Sequence, residues 1–368
     1  MKTFCTQIFS AAAAVLLSSC SLAERENWSA STRAAPELGI ILPVSTSSAA
    51  RDAADGATLA AEEFNTSSET EIAVSVEDNS AGANATLAAV EKLSRKNVRL
   101  FCVGFDPEIL PCHKLLSNIN GGFFDFLIEY PPAVLLGKNA ARIYFNGAQQ
   151  ADKLAAHFAK TAPAKNAEIA IISEDSPYGK SLGDYFNFTL ATSERKIIRD
   201  FFAKGETRFD IYARHITARN PAAVFYVGTG GEFSALKTAL ARTGFTGRLY
   251  KNRGFFDVQP THASAAKSAL RTTTISAPFE IASARTREGR SFAASFEKRF
   301  GRPPSVYAAF GYDGAKALIA AAARNNFDIS KLSSEFKNTR TDAATSTLVF
   351  DSSGDCTALL NITSAPAK

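Results

Sequence analysis

Several signatures that would fix a function are missing from the sequence. Its four histidines, His113, His157, His215 and His262, share no i, i+4 spacing, and Cys112-His113 has no partner pair, which excludes the common zinc patterns. Positive charge is spread thinly: the net charge is only +5, and no run holds more than three Lys or Arg in five residues, so no nucleic-acid footprint is present. Long apolar runs are also absent. The longest, Ile8 to Leu17, has ten residues, about half of what a helix needs to cross a bilayer. With Lys2 before it, this run reads as a signal peptide over residues 1–19.

That segment ends in Leu17-Ser18-Ser19-Cys20, which is similar to a bacterial lipobox and implies acylation of Cys20. Residues 20–36 are polar and without periodicity, as expected of a tether. If Cys5 leaves with the signal and Cys20 carries lipid, Cys102, Cys112 and Cys356 remain. An exported compartment permits a disulfide among them, but spacing does not choose a pair, and Cys102 in an apolar strand suits a buried thiol.

What is present is a core. Apolar residues make up 46% and charged ones 21%, enough to bury about two domains. The chain is organised around Leu38 to Asn65. LGIILPV is a nearly continuous apolar strand, STSSAARDAADG reads as a loop, and ATLAAEEFN reads as a helix. The loop brings Ser45, Thr46, Ser47 and Ser48 to the carboxyl end of a buried strand, where open α/β sheets bind small ligands. Arg51 in the same loop offers a cation for an anionic ligand. Strands are further expected at 71–76, 98–103, 122–128, 168–173, 197–202, 222–227 and 247–251. Helices are expected at 83–95, 149–160, 209–218, 232–242, 289–300 and 305–325, with another opened by Pro177. The alternation of strand and helix implies parallel sheets with right-handed crossovers. Ala344 to Phe350 and Cys356 to Ile362 are expected to form a terminal hairpin across Asp351 to Gly354.

Two short motifs point elsewhere. Gly179-Lys180-Ser181-Leu182-Gly183 matches the nucleophile elbow of α/β-hydrolases, but Ser181 falls inside a helix rather than at a strand-to-helix turn. Gly228-Thr229-Gly230-Gly231-Glu232-Phe233 resembles a dinucleotide fingerprint, yet Phe233 stands where the third glycine is required. No catalytic residue, metal or cofactor is therefore expected. A tight turn at Thr229 and Gly230 can still face a ligand with its N–H groups.

Four stretches together resemble the type I periplasmic binding proteins, in particular the branched-chain amino-acid (Leu/Ile/Val) substrate-binding family. They are Gly56, Ala57, Ala60 and Asn65; Asp78, Ala89, Leu93, Val98 and Gly104; Asp175, Tyr178 and Gly179; and Phe296, Phe300, Gly301, Pro304, Tyr307, Ala308, Tyr312 and Asp313. The resemblance implies an α/β fold of two doubly wound parallel-sheet lobes joined by a multi-strand hinge. The lobes are expected at 37–146 plus 281–340 and at 147–280 plus 341–368. It also implies a non-enzymatic, lipid-anchored periplasmic protein that captures a small solute for an ABC permease and touches the membrane only through its anchor. The solute is expected against Ser47, Ser48, Arg51, Phe105 and Tyr130 from the first lobe and Tyr178, Thr229, Gly230 and Phe256 from the second. Where the family holds a carboxylate with hydroxyls, this sequence has Gly104 to Glu108 and Phe126 to Tyr130, and their acidic side chains disfavour a plain branched-chain amino acid. The alternative is an outer-membrane lipoprotein of the same fold that activates a cell-wall synthase. Ser21 favours it, since the Asp that commonly retains lipoproteins at the inner membrane is missing.

Overall fold

The computed structural model describes residues 36–104, 121–127, 138–191, 195–228, 232–253, 270–275, 286–356 and 362–365. The apolar run that opens the core is strand β1 (Glu37–Leu42), buried on both faces from Leu38 onward. It pairs in parallel with β2 (Ala73–Asp78) and β3 (Leu100–Gly104), and the sheet continues through β4 (Phe123–Leu127) to β5 (Ala140–Arg142). The order is β2-β1-β3-β4-β5. A second sheet is built from β6 (Ile169–Glu174), β7 (Ile197–Phe202), β8 (Ala223–Val227), β9 (Arg248–Lys251) and β10 (Thr272–Ile275). Its order, β7-β6-β8-β9-β10, repeats that of the first sheet strand for strand, and the antiparallel β13 (Ile362–Ala365) closes its far edge. In each sheet the strand order reverses between the first and third strands. The carboxyl ends there, after Leu42 and Gly104 and after Glu174 and Val227, form the crevice where such sheets take ligands.

Helices cover both faces. On the first sheet, α1 (Ser48–Ser67) lies on one face and α2 (Ala83–Arg95) on the other. On the second, α3 (Gly147–Thr161) and α4 (Pro177–Leu190) oppose α5 (Asp210–Arg219) and α6 (Phe233–Arg242). The chain then returns to the first sheet with α7 (Arg287–Phe300), α8 (Val306–Arg324) and α9 (Ile329–Lys337). Helices α1 and α8 pack backbone to backbone. A Cβ on Gly56 would fall on the Ala308 carbonyl oxygen, and one on Gly311 on that of Ala53. Among the described residues no helix is long and apolar enough to cross a membrane.

Three expectations need correcting. Helix α1 begins at Ser48, so residues 48–56 form its first turns rather than a loop. The Ser47 hydroxyl accepts from the Ala50 N–H at 3.2 Å, a cap that a serine-rich stretch disguises as a loop. Secondly, most of the second arm of the expected hairpin, 357–361, lies outside the described residues, and its last residue, Ile362, belongs to another sheet. Strand β12 (Thr347–Val349) pairs antiparallel with β11 (Arg340–Asp342), Phe350 and Cys356 bridge across the turn among the described residues, and β13 joins the second sheet. Thirdly, α9 and β10 were not anticipated. Among the described residues two segments run between the sheets, 142–146 and 351–356, and they are zipped together. The Arg142 N–H donates to the Gly354 carbonyl at 2.8 Å and the Cys356 N–H to the Arg142 carbonyl at 3.0 Å.

Candidate binding crevice

At the end of the first sheet the hydroxyls are occupied by the protein itself. Ser45 Oγ donates to Asp78 Oδ2 at 2.7 Å, Ser80 Oγ donates to Asp78 Oδ1 at 2.6 Å, and Thr46 Oγ1 reaches Ser80 Oγ at 3.1 Å. The hydroxyls of Ser80 and then Ser45 hold the Asp78 carboxyl down at about 2, so it is an anion at any physiological pH. Arg51 stands exposed in the first turn of α1, and its Nη1 donates to the Val44 carbonyl at 2.7 Å. Ser48 and Arg51 line one groove, floored by Val44 and Val76 and walled by Arg302. Arg302 is paired with Asp52 at 2.7 Å and Asp55 at 2.6 Å. The structure thus brings Ser48 and Arg51 together, while Ser47 spends its hydroxyl on the helix cap.

The end of the second sheet is built from amides. Asn252, fully buried just beyond β9, accepts from the Gly228 N–H through Oδ1 at 3.0 Å and donates to the Gly228 carbonyl at 3.1 Å. The same Nδ2 donates to the Tyr178 hydroxyl at 2.8 Å. Tyr178 is half-buried in the first turn of α4, which Ser176 caps and Pro177 opens, and its ring packs against the core edge. Gly179 beside it is required by space, because a Cβ there would strike the Glu174 carbonyl oxygen. One residue beyond Asn252, the backbone of Arg253 is bracketed by buried Gln150, whose Oε1 accepts its N–H at 2.8 Å and whose Nε2 donates to its carbonyl at 3.1 Å.

Asn252 and Gln150 are not among the residues that the sequence singles out. The available signal was an asparagine directly after Leu249-Tyr250-Lys251, at a strand's carboxyl end. Phe105, Tyr130, Thr229, Gly230, Phe256 and Cys20 lie outside the described residues. Among the described residues no group of three His, Cys, Asp or Glu is placed to hold a metal, and Cys102 and Cys356 are both buried. Ser181 sits within α4, away from any strand-to-helix elbow, and Phe233 packs edge-on against Tyr226 at 5.2 Å where the dinucleotide fingerprint needs a glycine.

A family model described as periplasmic binding protein matches residues 37–358. The chain belongs to that family. Solved structures agree on the fold. A leucine binding protein from Thermotoga maritima is 20% identical over 89% of this chain and 94% of its own, with a TM-score of 0.69. A solute binding protein of an ABC transporter from R. palustris, in complex with benzoate, is 15% identical over 91% and 94%, with a TM-score of 0.68. An ABC transporter substrate-binding protein from Desulfitobacterium hafniense, in complex with Leu, is 16% identical over 90% and 97%, with a TM-score of 0.70. No curated protein matches the chain by sequence.

In this periplasmic binding protein the segments between the sheets carry a buried ion pair. Arg142, fully buried, donates from Nε to Asp355 Oδ1 at 2.8 Å, and its Nη2 lies 2.6 Å from the same oxygen. Asn146 Nδ2 donates to Asp355 Oδ2 at 2.8 Å. Burial pushes the Asp355 carboxyl up while Arg142 pulls it back. Asn146 also caps α3 in a capping box with Gln149, whose Nε2 donates to the Cys356 carbonyl at 2.8 Å. The two crossings and the start of α3 are therefore fixed as one unit.

Proposed function

We propose that this chain is a solute-binding protein serving an ABC importer, held at the periplasmic face of a membrane by lipid on Cys20 and performing no chemistry of its own. The observation that carries this reading is the repeated topology. Two sheets of one strand order each present polar side chains at the switch point, and two zipped segments connect them. We divide the lobes at 142–146 and 351–356. Residues 343–350 then go with the first lobe, because the Ala344 N–H donates to Asp313 at 2.6 Å and Phe350 packs on Phe336 at 4.4 Å.

A solute touching both strand-end surfaces stabilises only the closed arrangement, and closure is the state a permease partner reads. Solved relatives of the same fold are complexed with leucine, isoleucine or benzoate, which supports a small amino-acid-like or other small polar solute. Tyr178, Ser48 and Arg51, together with Phe105, Tyr130, Thr229, Gly230 and Phe256, are the proposed contacts. The test is a thermal-shift panel with small-angle scattering on the purified chain. A ligand at 100 times its Kd adds about 2.7 kcal/mol of stability and is expected to compact the particle. A shape unchanged by every solute, in a protein confined to the outer membrane and bound to a cell-wall synthase, would overturn the transport reading.

A further inference from the structure

The fold gathers charge that the sequence scatters. The parallel strands of the second sheet all start at one end, and the backbone there is knitted into a single layer. The Ile169 N–H donates to the Lys196 carbonyl at 3.1 Å, the Arg248 N–H to that of Ala222 at 3.0 Å and the Leu249 N–H to that of Arg271 at 3.1 Å. Lys196 and Arg271 stand just before β7 and β10, Arg248 opens β9, and Lys165 lies in the turn before β6. Lys160 and Arg242 reach the same end from the last turns of α3 and α6. All six are exposed, and none has an ion pair among the described residues. The one acid described on this layer, Glu168, is taken by Arg219 at 2.9 Å. Complementing a helix dipole accounts for Lys160 and Arg242 but not for the four cations outside helices. The positive field reaches inward, since burial and then the charges of Arg248 and Lys160 hold His157 below its usual value. The matching end of the first sheet is mixed, with Glu37, Glu69 and Glu71 beside Lys96, Arg99 and Lys138.

Two further observations bear on what covers this end. The crossing 142–146 runs from the carboxyl end of β5 to the start of α3, so the amino ends of the two sheets point away from each other, and the chain enters β1 from Pro36 at the opposite pole. Phe188, in the last turn of α4 at the basic end, is 84% exposed. We propose that the outer end of the second lobe is a docking surface for the anionic glycan of the cell wall, with carboxylates against its lysines and arginines and a sugar ring against Phe188. From β7 to β10 the cations are spread over four strand spacings, about 19 Å, which suits a polymer better than a single small anion. The membrane that holds lipid on Cys20 lies beyond the first lobe, so the basic end points into the wall. This inference goes beyond the solute reading and borrows from it only that lipid.

The test is co-sedimentation of the full chain with purified peptidoglycan sacculi and with phosphatidylcholine vesicles made with and without phosphatidylglycerol. The difference between the two vesicles reads charge alone, whatever the lipid on the protein contributes. Binding to sacculi is expected at about 50 mM salt and should be largely lost by about 300 mM, because exposed charges are screened. Arg248→Ser with Arg271→Ser should weaken it about tenfold, and Lys165→Ser with Lys196→Ser, in other loops, should do the same. Phe188→Ala should weaken it about threefold without altering the salt dependence. All these side chains are exposed, so melting temperatures should stay close to that of the wild type. No binding to sacculi, binding indifferent to salt and to both double variants, or a gain from phosphatidylglycerol that exceeds the binding to sacculi would overturn the inference. A chain that holds sacculi but answers no solute would support it and sink only the transport reading.

Discussion

The two halves share a strand order but stabilise their interiors with different chemistry. In the first half two buried carboxyls stand out beside the buried Asn79–Thr86 pair. Asp125 lies in the middle of β4, fully buried, and neither oxygen has a hydrogen-bond partner of normal geometry among the described residues. Burial pushes it up to about 7, with the Ile143 N–H pulling slightly the other way. Asp313 on α8 is also fully buried and raised to about 6 by burial, though Thr345 and the Ala344 N–H hydrogen-bond it. In the second half the corresponding work is done by Asn252 and Gln150, which carry no charge to lose. One fold tolerates both solutions, and the buried carboxyls make their part of the stability depend on pH while the amides do not.

That contrast can be broken in four ways. The largest effect is expected between the halves. Arg142→Ala leaves Asp355 buried without its cation and should cost about 3–5 kcal/mol in urea unfolding; a loss below about 1 kcal/mol would show that the pair does not tie the crossings. Next comes Asp125→Asn. The folded pKa of Asp125 lies above the unfolded value of about 3.9, so its stabilisation is complete below pH 4 and is lost as pH rises towards 7. The variant should match the wild type at pH 4 and exceed it by a few kcal/mol at pH 8, read from urea midpoints at both values. Asn252→Ala should cost about 1–3 kcal/mol, equally at pH 5 and pH 8, since no titration is involved. A pH-dependent loss there would erase the distinction between the halves. The smallest change belongs to Asp78→Asn. Its depressed pKa makes the contribution present above about pH 4 and lost as pH falls towards 2, and its exposure limits the loss at neutral pH to under about 1 kcal/mol.

Much of the scaffold was legible in the sequence because single residues carry single jobs. Asn65 brackets Ile72, accepting its N–H at 2.8 Å and donating to its carbonyl at 3.0 Å, which fixes the turn from α1 into β2. Tyr312 donates to Glu63 at 2.6 Å, and Gly56 is where α8 crosses α1. The helix expected at 83–95 is α2 without adjustment, since its apolar spacing is unbroken. Hydroxyls were less legible. A serine before a helix can cap, bind or simply be solvated, and Ser45, Ser47 and Ser80 turned out to serve the protein's own backbone and Asp78. Asn252 was invisible for a different reason: its role depends on Gly228 and Tyr178, which lie 24 and 74 residues away. Such a constellation has no periodicity to betray it.

The close crossing of α1 and α8 also constrains the order in which the chain can mature. The alanine face of α1 is complete once residue 67 has been synthesised, but its partner surface, Ala308 to Tyr312, follows some 240 residues later. Until then the face of α1 that carries Ala53 and Gly56 has no partner, so the first domain's packing stays incomplete throughout synthesis of the second sheet. Closing so long a loop is slow, so the first domain is completed late. The contact that ties the finished first domain together is thus also the one that delays its completion.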